Sequence, residues 1–188
     1  MAHTRLDARG FSLIELLFVV AILGTVGAMA ALVSPTYVNH VRSESGLAQV
    51  VDVVKAAGDT AVSTRRNVEI QFLGNNGIRI VRQDLPSGQT ILRTMELEGR
   101  IRLQLIPGLP DTPDAFGNGS ATSFGPTPIR MFTSEGSLVD ANGDPLNGSI
   151  FLADPSDRNS ARAITIFGAT GAIRTWRWTG SAWQEAAH

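Results

Sequence analysis

What most limits this chain is an uncharged stretch over residues 16–33, roughly 18 residues and near the shortest length at which a helix crosses a hydrocarbon core. Glu15 stands at its upstream edge, behind a short polar leader, residues 1–10, that carries Arg5, Asp7 and Arg9. The positive-inside rule keeps such a leader in the cytoplasm and sends the rest of the chain across the membrane. A cleaved secretory signal reads from the same pattern, with a charged start, an apolar centre and Ala28-Met29-Ala30 as a small-x-small cleavage site. Glu15 separates the two readings. A carboxylate costs roughly 2.5–3.5 kcal/mol near the centre of a membrane helix, less toward its end, and a signal has no use for one. A buried acid of this kind implies a partner.

The remaining bulk properties narrow the class. A chain of 188 residues holds one ordinary domain plus an attached element. With 43% hydrophobic and 18% charged residues it is folded rather than disordered. A net charge of −1 gives no whole-chain reason to expect nucleic acid as the main partner. The absence of cysteine removes disulfides, thiolate nucleophiles and zinc-thiolate sites together. His3, His40 and His188 fall in the leader, on the stem and at the terminus, so no Ser-His-Asp or two-histidine metal constellation is available. The expectation is a protein without enzymatic activity and without a cofactor.

The leader and the first helical turns read Gly10-Phe11-Ser12-Leu13-Ile14-Glu15-Leu16-Leu17. This resembles the prepilin signature of type IV pilins and of the pseudopilins of type II secretion. The resemblance implies that prepilin peptidase cuts between Gly10 and Phe11 and methylates the new Phe11 amine. It implies other pilin or pseudopilin subunits as partners, the inner membrane as the site of anchoring, and a periplasmic or surface filament as the assembled form. The chemistry is consistent with that use. Gly10 offers a backbone that a protease can approach closely. Glu15 lies one turn beyond Phe11 on the same helical face, where it can pair with the freed amine of a neighbouring, staggered subunit. A paired buried charge is tolerable, whereas an unpaired one is not.

Downstream the helix continues, with Pro35 expected to bend or interrupt it. Leu47, Val50, Val51, Val54, Ala57 and Ala61 follow the helical period, so one face of residues 37–64 is apolar and should dock on a sheet. From Val68 the period becomes two. Residues 68–72 and 78–82 flank Gly74-Asn75-Asn76-Gly77 as a hairpin. Further strands are predicted at 91–97, 101–106, 129–132, 149–152, 163–167 and 173–178, in an antiparallel meander. Residues 107–128, rich in Pro, Gly, Ser and Thr, form a long loop expected to be functional or mobile. The predicted class is α+β: leader 1–10, helical spine 11–66, and a β-rich periplasmic head over 67–188. A stem followed by short strands, residues 132–136, the Asn-Gly turns and the late Trp176, Trp178 and Trp183 are similar to the H-type minor pseudopilins and related minor pilins.

Two candidate sites remain. Asp140-Ala141-Asn142-Gly143-Asp144 places oxygens at alternate positions, as in half of a calcium loop, but Phe151 stands where the bidentate Glu belongs; Asn-Gly favours a plain turn. Arg174, Trp176, Arg177 and Trp178 interleave basic and aromatic residues as a single-strand nucleic-acid platform does. Arg174 and Arg177 are therefore the candidate contacts in an alternative reading, a minor pilin for DNA uptake. The DNA-uptake type carries a Gly-Arg-x-Arg element; here Gly171-Ala172-Ile173-Arg174 lacks its first arginine.

Overall fold

The computed structural model describes residues 12–186 apart from 127, and within residues 29–37 it describes the backbone alone. Gly10 and Phe11 lie outside the described residues.

One helix, α1 (Leu13–Thr64), opens the structure. Ser12 caps it: its hydroxyl oxygen accepts the Glu15 backbone N–H at 3.2 Å and its carbonyl accepts that of Leu16 at 3.1 Å. Pro35 does not end the helix, which runs without a break to Thr64. Arg65 then turns left-handed, with φ 52°. The Arg66 N–H reaches the Ala61 carbonyl at 3.2 Å and the Arg65 N–H reaches that of Val62 at 3.4 Å, the paired bonds of a Schellman stop. The boundary between two compact units falls inside α1, after Val38.

The second unit, Asn39–His188, holds eleven strands among the described residues. β1 (Val68–Leu73) and β2 (Gly77–Gln83) form the expected hairpin, in register from Val68 opposite Arg82 to Leu73 opposite Gly77. The strands form two antiparallel sheets. The first has the order β3-β2-β1-β6-β7, with β3 at Gln89–Glu96, β6 at Met131–Phe132 and β7 at Leu138–Val139. The second has the order β11-β10-β9-β8-β4, with β4 at Arg102–Leu103, β8 at Gly148–Asp154, β9 at Asp157–Phe167, β10 at Ala172–Trp178 and β11 at Trp183–Glu185.

The predicted helical face is the one that is buried. Leu47, Val50, Val54, Ala57 and Ala61 are fully covered, and Val51 nearly so. They share a core with Val68, Ile70, Ile78 and Ile80 of the first sheet and Ile150, Leu152, Ile164 and Ile166 of the second. Each fully buried Val, Leu or Ile among them contributes roughly 1.5–3 kcal/mol.

The second sheet is covered on its other face too. Phe151, Ala153, Ala161, Ala163, Trp176, Trp178 and Trp183 form a separate cluster, against which Leu105, Ile106 and Leu109 pack. Leu105 and Ile106 lie just before the long 107–128 segment and Leu109 within it, so this stretch packs as a cover. Trp183 donates its indole N–H to the Pro110 carbonyl at 2.8 Å, and Arg158 reaches the Gly108 carbonyl at 2.9 Å. The segment also contains β5 (Thr122–Phe124), paired with β8. Phe124 lies so close over Gly148 that a side chain there would run into its ring, so β5 docks only because residue 148 has none.

Candidate functional site

The N-terminal unit presents apolar side chains on every side. Leu13, Ile14, Leu16, Leu17, Phe18, Ile22 and Leu23 are each exposed by 60% or more. A helix apolar around its whole circumference belongs in a lipid or protein interior. The described part of α1 contains no segment long and apolar enough to cross a membrane; residues 29–33, the end of the expected span, have no described side chains.

Glu15 sits in this surroundings on the first turn of α1 and is exposed. Its backbone N–H is taken by Ser12, and its position in the first turn suits the positive end of the helix dipole. Its carboxylate has no ion-pair partner among the described residues.

The basic strand is built differently from a nucleic-acid platform. Arg174 donates to Asp114 at 2.8 Å, lies 4.0 Å from Glu185 and stacks 4.9 Å above the Phe167 ring. Asp114 also accepts the Thr165 hydroxyl, and Thr165 in turn accepts the Trp176 indole N–H at 3.0 Å. Trp176, Trp178 and Trp183 are buried, with Trp178 and Trp183 edge to face at 5.4 Å, which leaves no free ring for a base. Arg177 is exposed and makes no ion pair among the described residues. Three residues apart on one strand, Arg174 and Arg177 project from opposite faces.

Arg177 lies beside a cluster that sequence reasoning missed. Arg162 of β9 is completely buried, and its guanidinium donates to Glu44 at 2.9 Å, to the carbonyls of Asn159 and Ala161 at 3.1 and 2.9 Å, and to His40 Nδ1 at 2.9 Å. Accepting through Nδ1 puts the His40 ring proton on Nε2. Burial draws the Arg162 pKa down from its ordinary value while Glu44 opposes that shift, and the neighbouring Arg177 adds to it. The one available signal was an arginine set among Ala161, Ala163 and Ile164 on an otherwise apolar strand.

The Asp140–Asp144 segment closes on itself. Asp140 Oδ1 accepts the N–H groups of Asn142 at 2.8 Å and Asp144 at 3.1 Å, and Gly143 takes φ 88°. That is an Asx-type turn whose carboxylate is already occupied by backbone.

Comparison with known proteins gives three findings. Residues 5–31 match the prokaryotic N-terminal methylation motif. The fold is similar to that of the type IV minor pilin FimU of Pseudomonas aeruginosa (strain PAO1), seen in two crystal forms. At 18% identity, one aligns over 77% of this chain and 94% of that chain with a TM-score of 0.50, the other over 77% and 99% with 0.49. The curated protein sequences give no match. At this identity the structural likeness establishes the fold: an N-terminal helix packed on an antiparallel β head, α+β as predicted.

Proposed function

We propose that this chain, which carries the N-terminal motif and the fold of the type IV pilin family, is a non-enzymatic minor subunit of a type IV pilus-like filament. Glu15 is the observation that carries the reading. An exposed carboxylate without a counter-charge among the described residues heads the apolar first turns of α1, and burying it is costly unless another chain brings a cation. Cleavage between Gly10 and Phe11 creates that cation on each neighbouring subunit, as the methylated Phe11 amine. Before assembly, residues 16–33 hold the subunit in the inner membrane with the N-terminus cytoplasmic and the head periplasmic. After assembly the same surface packs against other helices.

The similar fold belongs to a type IV minor pilin, which supports a pilus over the pseudopilus of type II secretion. The DNA-uptake alternative gains no support from the head. Arg174 is paired with Asp114, and the three tryptophans that would stack on bases are buried. The test is Glu15→Gln, which keeps the helix and removes the charge. The variant is expected to lose its leader normally and to be missing from sheared filaments. Incorporation at the wild-type level would overturn the reading.

A further inference from the structure

Where β9 pairs with β10, two arginines stand directly opposite each other. The register sets Arg162 against Arg177, so both project from the face of the second sheet that packs on α1. Like charges placed this way repel, and Arg162 alone has a counter-charge, Glu44. Arg177 is exposed and makes no ion pair among the described residues. With His40, Asn159, Trp178 and Thr179, the two arginines line an open notch of about 300 Å³. Glu44 and Asp157, the acids whose charge reaches Arg162, are not among its walls. His40 accepts from Arg162 through Nδ1, so its Nε2–H is the donor left for another group. Two guanidiniums and an imidazole N–H, with no acid beside them, suit a phosphate.

We propose that this notch binds the phosphate of an anionic lipid headgroup while the subunit is held in the membrane. The inference rests on the proposed function, since it presumes that residues 16–33 are anchored there. Reach favours a lipid. His40 follows Val33, the last residue of the apolar run, by seven positions, and seven residues span about 10 Å as helix and at most about 25 Å fully extended. The headgroup layer, roughly 5–8 Å deep on each side of the hydrocarbon core, is within that tether. Residues 34–43 carry no acid, and Arg42 adds charge of the attracting sign. Because the anchor already holds the chain at the bilayer, headgroups are present at high effective concentration, and one modest contact is enough to fill the notch. Free phosphate has no such advantage. A single notch takes a single phosphate, short of the row of contacts that retains a nucleic acid.

The experiment uses the full chain, purified in a neutral detergent, and counts bound lipid by native mass spectrometry with phosphatidylglycerol or phosphatidylcholine added. Wild type is expected to prefer phosphatidylglycerol roughly five-fold, the worth of one arginine at an anionic surface. Arg177→Gln is expected to bind the two lipids equally, and Arg177→Lys to keep most of the preference. Arg93→Gln makes the same charge change on the exposed edge strand β3 and is expected to keep all of it. Equal binding of the two lipids by wild type would overturn the inference and leave the notch to a carboxylate on another subunit. A preference that survives Arg177→Gln would put the headgroup elsewhere, on Arg42 for instance, and one lost equally in Arg93→Gln would reduce it to net charge; either overturns the inference. Inorganic phosphate that displaces phosphatidylglycerol at equal concentration would mark a free-anion site and overturn the lipid assignment. If alkaline carbonate strips the wild-type chain from membranes, the anchoring itself fails, which is a result distinct from a lost headgroup preference.

Discussion

Removing Glu44 should destabilise the head more than replacing Arg162, the residue it neutralises. Arg162 is fully buried and Glu44 about one third exposed, joined at 2.9 Å. Breaking a fully buried ion pair from one side costs about 3–5 kcal/mol, because the remaining charge is stranded. Here the stranded guanidinium keeps the carbonyls of Asn159 and Ala161 and the His40 nitrogen, and Glu44 already lies partly in water. We therefore expect about 2–3 kcal/mol for Glu44→Ala. For a unit of this size each kcal/mol moves the midpoint by roughly 2–4 °C, so the Tm should fall by about 4–12 °C. Arg162→Met fills most of the volume and leaves Glu44 free to turn to solvent, so its loss should be smaller, about 1 kcal/mol or less. Residues 39–188 contain both partners and their own core, so thermal unfolding of that segment, followed by circular dichroism and tryptophan fluorescence, is the assay. A Glu44→Ala midpoint within about 1 °C of wild type, or an Arg162→Met loss larger than that of Glu44→Ala, would refute the reasoning.

Two further predictions concern charge. Burial pushes the Asp154 carboxyl up, but the Ser156 N–H at 2.9 Å, the Ser156 hydroxyl at 2.7 Å, Arg100 at 3.4 Å and Arg102 outweigh it and hold it below the ordinary carboxylate value. A carboxylate lowered on folding stabilises above its unfolded pKa, about 3.9, and loses that contribution as pH falls through the lower folded value. The urea midpoint of residues 39–188 should therefore decline below about pH 4, and Asp154→Asn should lower it at neutral pH while flattening the acid limb. An unchanged acid limb in the variant would exclude this group as a cause. In gel-shift assays the head is expected to retain no DNA at physiological salt, with Arg174→Gln and Arg177→Gln no different; a shift that disappears in both variants would revive the nucleic-acid reading.

How much was legible depended on whether a feature was local. The buried face of α1 came from the 3.6-residue period of Leu47, Val50, Val54 and Ala61, and the β1–β2 hairpin from Gly74-Asn75-Asn76-Gly77, because each pattern lies within a single helix or a single hairpin. Strands β5, β7 and β11, two or three residues each, were not read. They exist through pairing with β8, β6 and β10, and so short a run has no period of its own. Composition marked 107–128 as a loop but did not report that it packs and carries β5. The neighbouring strands held a better signal: Ile150, Phe151 and Leu152, like Ala163 and Ile164, are apolar on both faces, so the sheet needed a cover on both sides. Arg162 with Glu44, and Arg174 with Asp114, join residues far apart in sequence, and pattern reports a face without naming its partner. At the N-terminus the situation reverses. The significance of Glu15 lay in the sequence as an acid beside an apolar run, and the structure adds the Ser12 cap.

The central claim is that Glu15 meets a chain start made by cutting after Gly10. Intact-mass and N-terminal analysis of the mature protein from membranes, with Gly10→Asp as the uncut control, tests it most directly. The account predicts a chain that begins at N-methylated Phe11 in the wild type and retains the leader in the variant. A mature chain beginning at Ala31, beyond Glu15, would contradict it.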